Sequence, residues 1–128
     1  SQQALMEIVV SDLREIDRAP FLDENGLMSS ISFWEGIVIN GDDRVEIVDL
    51  SIDYVENVVD HGRIQLDWLP DSVRSILFQG RQFAGEVNCN NLPRSLRELS
   101  AGHNQLTGTF RAADLPSGIM SFVAHENH

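Results

Sequence analysis

LPRSLRELSAGHNQLTG, residues 92–108, has a counterpart on either side of it. LPDSVRSILFQGRQFAG begins at Leu69 and LPSGIMSFVAHENH at Leu115, so a Leu-Pro pair recurs with a constant step of 23 residues. Self-similarity at a fixed step of this length is the mark of a repeat architecture. Val73, Leu96 and Ile119 share one column, Ile76, Leu99 and Phe122 the next, and Phe78, Ala101 and Ala124 a third. Arg81, Asn104 and Asn127 follow; Phe83 and Leu106, Gly85 and Gly108, Val87 and Phe110, and Cys89 and Ala112 then lead to the next Leu-Pro. An earlier copy starts at Val45, with Val48 and Leu50 in the apolar columns and Asp53 in the asparagine column. It rejoins the register at Gly62, Ile64 and Leu66 after a longer loop, which makes this copy 28 residues long.

The columns have a physical meaning. Apolar residues at alternate positions, such as Leu99 and Ala101, predict a short strand with one buried face, and the turn residues after them send the chain back. One such coil cannot bury its own apolar face, so copies must stack, pair their strands in parallel and share a core. Pro70, Pro93 and Pro116 fix the backbone on the approach to each strand without interrupting its ladder. An asparagine just past the strand satisfies turn amides and carbonyls that would otherwise be bare. Arg81 donates but does not accept, which predicts a break in that asparagine ladder at its copy. The predicted fold class is an α/β repeat solenoid with short parallel strands and a loop-rich convex side.

Composition narrows the chemistry. A chain of 128 residues with 42% hydrophobic content suits one unit with a modest core. No apolar run reaches the ~18 residues of a membrane span, and the N-terminus has no basic stretch followed by an apolar segment. A single cysteine, Cys89, and the lack of an Asn-x-Ser/Thr acceptor favour a reducing compartment, and the expected location is cytoplasmic. All nine basic residues are arginine, so a lysine Schiff base and a phosphate-loop lysine are excluded. Residues 1–64 hold fourteen acids against four arginines, and residues 65–128 six against five. Two readings of this acidic half stand: a solvating surface, or a field that repels nucleic acid and anionic membranes and steers a protein partner with a basic surface.

The pattern LPRSLRELSAGHNQLTGTF resembles the leucine-rich repeat family, in the protist-like variety with Leu-Pro-x-Ser-Leu opening each coil and Asn-x-Leu-x-Gly after the strand. The resemblance covers residues 44–128, about three and a half coils with the last incomplete. It implies a curved solenoid with a parallel sheet on its concave side, used mainly to hold other proteins. Residues 1–43 fit the same family as an N-terminal cap. In QALMEIVVSDLREI the residues Leu5, Ile8, Val9, Leu13 and Ile16 keep helical spacing and predict an amphipathic helix over the first coil. The run FWEGIVING is similar to the Trp-x-Gly-Val segment that precedes many such arrays, with Trp34 and Gly36 at matching positions. Extracellular relatives carry cysteines around that tryptophan; here Ile39 stands where one is expected.

Candidate site residues come from the strand face that alternates with the buried one. Ile47, Asp49 and Ser51, then Ser75, Leu77 and Gln79, then Glu98, Ser100 and Gly102, and finally Ser121, Val123 and His125 form a grid. The partner-binding set is Ile47, Asp49, Ser75, Leu77, Gln79, Glu98, Ser100, Val123 and His125. Ile47, Leu77 and Val123 read either as a binding surface or as scattered aliphatics. The inserted loop 53–62, DYVENVVDHG, reads either as a recognition element or as a second capping element. The last strand is expected from about Met120 to Ala124, and its outer edge reads either as one that further coils of a longer array cover or as one that pairs with a second copy in a homodimer, with Ile119, Met120, Ser121, Phe122 and Val123 as the self-association set. His103, His125, His128 and Glu126 raise metal, but alternation puts only His125 on the exposed face, so no metal or other cofactor is expected. Cys89 shares its column with Leu66 and Ala112 and reads as a small core residue, not a nucleophile. The expected function is a non-catalytic interaction module of scaffold or adaptor type; the alternative is an enzyme or metal-binding protein with an acidic or histidine site on the same face.

Overall fold

The computed structural model describes residues 1–51, 61–109, 111–124 and 127. The chain opens with helix α1, Gln2–Val10, whose N-terminus is capped by the Ser1 hydroxyl, which accepts from the Ala4 amide at 3.2 Å. Met6, Val9 and Val10 are fully buried and Leu13 nearly so, while Leu5 and Ile8 are half-buried. The buried stripe is thus rotated by one position from the expected one, and the helix ends sooner. Ser11 turns its hydroxyl back to the Ile8 carbonyl at 2.8 Å, competing with the helix ladder as serine does near helix ends. Beyond it Leu13 forms an antiparallel bridge with Gly62 before the short helix α2, Glu15–Arg18.

The segment that follows is organised by Trp34. Its ring lies 4.7 Å from that of Phe21, its indole N–H donates to the Ser29 carbonyl at 3.0 Å, and only 2% of it is exposed. Gly36 comes next at φ 86°, and a Cβ there would sit 2.0 Å from the Asp49 carbonyl oxygen. That close approach brings strand β1, Ile37–Ile39, antiparallel onto β2, Val45–Asp49, with Ile37 opposite Val48.

From β2 onward the strands run parallel. β3 (Ser75–Leu77), β5 (Glu98–Ser100) and β7 (Ser121–Val123) complete a five-stranded sheet in the order β1-β2-β3-β5-β7. Val48, Ile76, Leu99 and Phe122 are register partners across it. The returning halves of two copies form β4 (Ala84–Asn88) and β6 (Gln105–Thr109), a separate parallel pair. Val48, Ile76 and Leu99 from the first sheet join Val87 and Leu106 from the second in one core, all at most 2% exposed. Residues of one sequence column are therefore neighbours in space.

Each recurrent polar or small residue has a job in that stacking. The Pro70, Pro93 and Pro116 carbonyls accept from the amides of Val73, Leu96 and Ile119 three residues on, closing the same turn in each copy. Ser72 and Ser95, of the Leu-Pro-x-Ser pattern, donate to the Val45 and Val73 carbonyls of the preceding copy at 2.6 and 2.8 Å. At Gly85 and Gly108 the backbone passes so near that copy that a Cβ would lie 2.6 Å from the Ile64 carbonyl oxygen and 2.4 Å from that of Val87. Both have positive φ, a conformation glycine adopts at little cost.

The asparagine column closes the ladder between turns. Asn104 donates to the carbonyls of Phe78, Ala101 and Gly102 and accepts from the Phe83 amide. Asn127 does the same one copy later, to Ala101 and Ala124 and from Leu106. Arg81 keeps the donor half of this scheme: its guanidinium donates to the Leu50 carbonyl, the equivalent of Phe78 and Ala101. The expected break in the ladder is therefore only of its acceptor half. Among the described residues no helix is long and apolar enough to cross a membrane.

Candidate functional site

On the outer face of the five-stranded sheet, parallel register sets two rows side by side. Ile47, Ser75, Glu98 and Ser121 form one; Asp49, Leu77, Ser100 and Val123 form the other. All eight are half-buried, whereas the residues alternating with them, Val48, Ile76 and Leu99, are sealed in the core. Ile47, Leu77 and Val123 are less exposed than expected, because flanking strands at the ~4.8 Å sheet spacing cover part of each side chain. They also do not form one continuous patch, since Ser100 separates Leu77 from Val123.

The ends of the rows are polar. Gln79 is exposed and accepts from the Ser100 hydroxyl at 3.1 Å through its side-chain oxygen. Ser51 is exposed, with its amide on the Asp49 carboxylate at 3.0 Å. Gly102, expected on this grid, is buried, because the turn after β5 closes over it. His125 and residues 53–60 of the inserted loop lie outside the described residues. In the last copy Ile119, Ser121, Phe122 and Val123 are half-buried and Met120 is 82% exposed, and no described strand pairs with β7 beyond β5.

The side chains raised for other chemistry are apart. Cys89 is buried, in the turn after β4. His103 is exposed at φ 56°, in the turn before β6. Among the described residues no three histidine, cysteine, aspartate or glutamate side chains come together as metal ligands.

A constellation of another kind lies inside. Asp17 from α2 meets Nδ1 of His61 at 2.8 Å through one carboxylate oxygen and the Arg81 guanidinium at 2.8 Å through the other. All three residues are at most 8% exposed, and Arg81 also lies 4.6 Å over the Phe83 ring. Nε2 of His61 is buried and has no hydrogen-bond partner among the described residues. The only sequence signal for this group is Arg81 in a column of asparagines; Asp17 and His61 lie far from it along the chain. Backbone bonds bring them together: the Arg14 amide donates to the His61 carbonyl at 3.0 Å and the Arg63 amide to the Asp12 carbonyl at 3.0 Å. Two buried cationic or polar partners on one carboxylate make a clasp between the N-terminal segment and the repeats.

No protein-family model matches the chain, and neither a curated protein nor a solved structure matches it.

Proposed function

We propose that this chain is a leucine-rich repeat protein that holds a protein partner on the outer face of its five-stranded sheet, as a scaffold or adaptor and without catalysis. The family reading is supported by the 23-residue step together with the serine, glycine and asparagine columns, each of which bonds or packs against the preceding copy. The observation that carries the binding reading is the two-row array itself. Eight half-buried side chains of mixed character stand in register on a face whose alternate residues anchor it rigidly to the core. Such an array offers short polar and aliphatic contacts at fixed spacing, which suits a protein surface better than a small ligand. The net charge of −11 favours a partner with a basic surface.

The test is affinity capture from the source organism with three folded chains: the natural one, Leu77→Glu on the sheet face, and Leu27→Glu, whose side chain is 65% exposed elsewhere. Proteins retained by the natural chain and by Leu27→Glu should be lost with Leu77→Glu. Retention of the same proteins by Leu77→Glu would remove this face from the function.

A further inference from the structure

Asparagine precedes glycine at two places in the chain, Asn25-Gly26 and Asn40-Gly41. At such a pair the glycine nitrogen can attack the asparagine side-chain carbonyl, since no Cβ crowds the approach and the backbone is free to turn. The two pairs lie in turns with one shared pattern of hydrogen bonds. Asp23 closes the first turn: its Oδ1 accepts from the Asn25 and Leu27 amides at 2.8 and 3.0 Å, its carbonyl accepts from the Gly26 amide at 3.0 Å, and its own amide donates to the Leu27 carbonyl at 2.7 Å. Asn40 holds the same place in the second. Its Oδ1 accepts from the Asp42 and Arg44 amides at 2.9 and 3.2 Å, its carbonyl from the Asp43 amide at 3.0 Å, and its amide donates to the Arg44 carbonyl at 2.9 Å. Gly26 at φ 77° and Asp43 at φ 62° are the matching left-handed residues.

The common turn puts the two asparagines in opposite situations. Asn40 is half-buried, and its carboxamide oxygen is committed to two backbone amides. Bonds to a carbonyl oxygen lie near the plane of the group, so this pair turns the edge of the carboxamide toward the following backbone. A nucleophile has to arrive over its face, and turning that face to the Gly41 nitrogen breaks both bonds. Asn25 is exposed, and its carboxamide makes no hydrogen bond among the described residues. Only the bond from the Gly26 amide to the Asp23 carbonyl opposes the reaction there.

We propose that Asn25 is a modification site, at which the folded chain forms aspartate and isoaspartate while Asn40 is protected. The Gly26 nitrogen bonds to Cγ of Asn25 as the bond from Cγ to Nδ2 breaks, and the departing nitrogen leaves as ammonia, carrying the proton of the Gly26 amide. Water then opens the resulting succinimide. Cleavage between Cγ and the Gly26 nitrogen leaves aspartate; cleavage at the backbone carbonyl leaves isoaspartate, with one more methylene in the main chain. Nothing is oxidised or reduced, and water is the sole co-reactant. Either product adds a negative charge next to Glu24, and isoaspartate lengthens the turn that sets the bridge between Leu22 and Met28. This site is independent of the sheet face.

The experiment incubates the full chain in mildly alkaline buffer, folded and in urea, and follows both asparagines by peptide mapping. The readouts are the mass gained when water replaces ammonia and the chromatographic separation of isoaspartyl from aspartyl peptides. In urea, where neither turn persists, the two rates should agree within about twofold, because both asparagines precede glycine. In the folded chain Asn25 should react at least about fivefold faster than Asn40, which has two bonds to give up. A ratio of rates in the folded chain within twofold of the ratio in urea overturns the proposal, since the turns would then not decide the site. Faster reaction at Asn40 overturns it as well. So does a folded chain that stays unmodified at Asn25 over the time in which the urea sample is half converted.

Discussion

At Asp17 one carboxylate answers two buried partners, and the consequences of losing it are unequal for the three residues. Replacement by asparagine keeps the volume and removes the charge that holds Arg81, leaving a guanidinium 8% exposed without its counter-ion. Breaking a buried pair in this way costs about 3–5 kcal/mol. Asp17→Asn should therefore lower the free energy of unfolding by that amount in a urea titration, and a loss under about 1 kcal/mol would mean that the clasp contributes little. This cluster was only half legible from the residues. Arg81 declared itself by standing where Asn104 and Asn127 stand in their copies, and its donor role follows from that. Its ion-pair partner did not, because Asp17 lies 64 positions earlier and nothing local distinguishes it from other acids of the N-terminal half.

At the scale of the element, the strands of the five-stranded sheet are short, three residues each for β3, β5 and β7. Pairing alone does not hold strands of that length; each depends on its one fully inward residue. Leu99 on β5 has a paired strand on either side and is 1% exposed, whereas Phe122 on β7 is half-buried. Leu99→Ala should cost about 2–5 kcal/mol, as large-to-small changes in a closed core do, and Phe122→Ala should cost clearly less despite the larger side chain. Urea midpoints of the two variants check the order; a reversed order would mean that β7 carries more of the core than its exposure implies. α1 obeys the same logic with a different outcome. Several of its residues keep apolar spacing, so more than one stripe was compatible with the sequence. The stripe centred on Met6, Val9 and Val10 is set by which side of the helix meets the 66–68 turn.

At the scale of the molecule, residues of the N-terminal 43 and of the repeats belong to one core cluster, from Met6 and Trp34 to Leu106. The clasp and the backbone bonds from residues 12–14 to 61–63 join the same two parts. They should unfold together. In a Trp68→Phe background, the fluorescence of Trp34 reports the N-terminal part and far-ultraviolet circular dichroism the whole chain. The two melting curves should coincide, as a single cooperative unit requires; a separate, earlier transition at Trp34 would make residues 1–43 an independent layer. The sequence by itself determined the 23-residue step, the places of the parallel strands β2, β3, β5 and β7, and the purpose of the asparagine column. These depend on periodicity and on contacts between equivalent residues of adjacent copies, which repeat along the chain and can be read from it. Only the tertiary structure decided the face α1 buries, the counter-ion of Arg81, the half-burial of the sheet face, the pairing of β4 with β6 where a loop-rich side was expected, and the contacts of the serine and glycine columns. The first three depend on residues that occur once and meet across long stretches of chain, and the last two on how closely adjacent copies approach, which the spacing of the columns does not record.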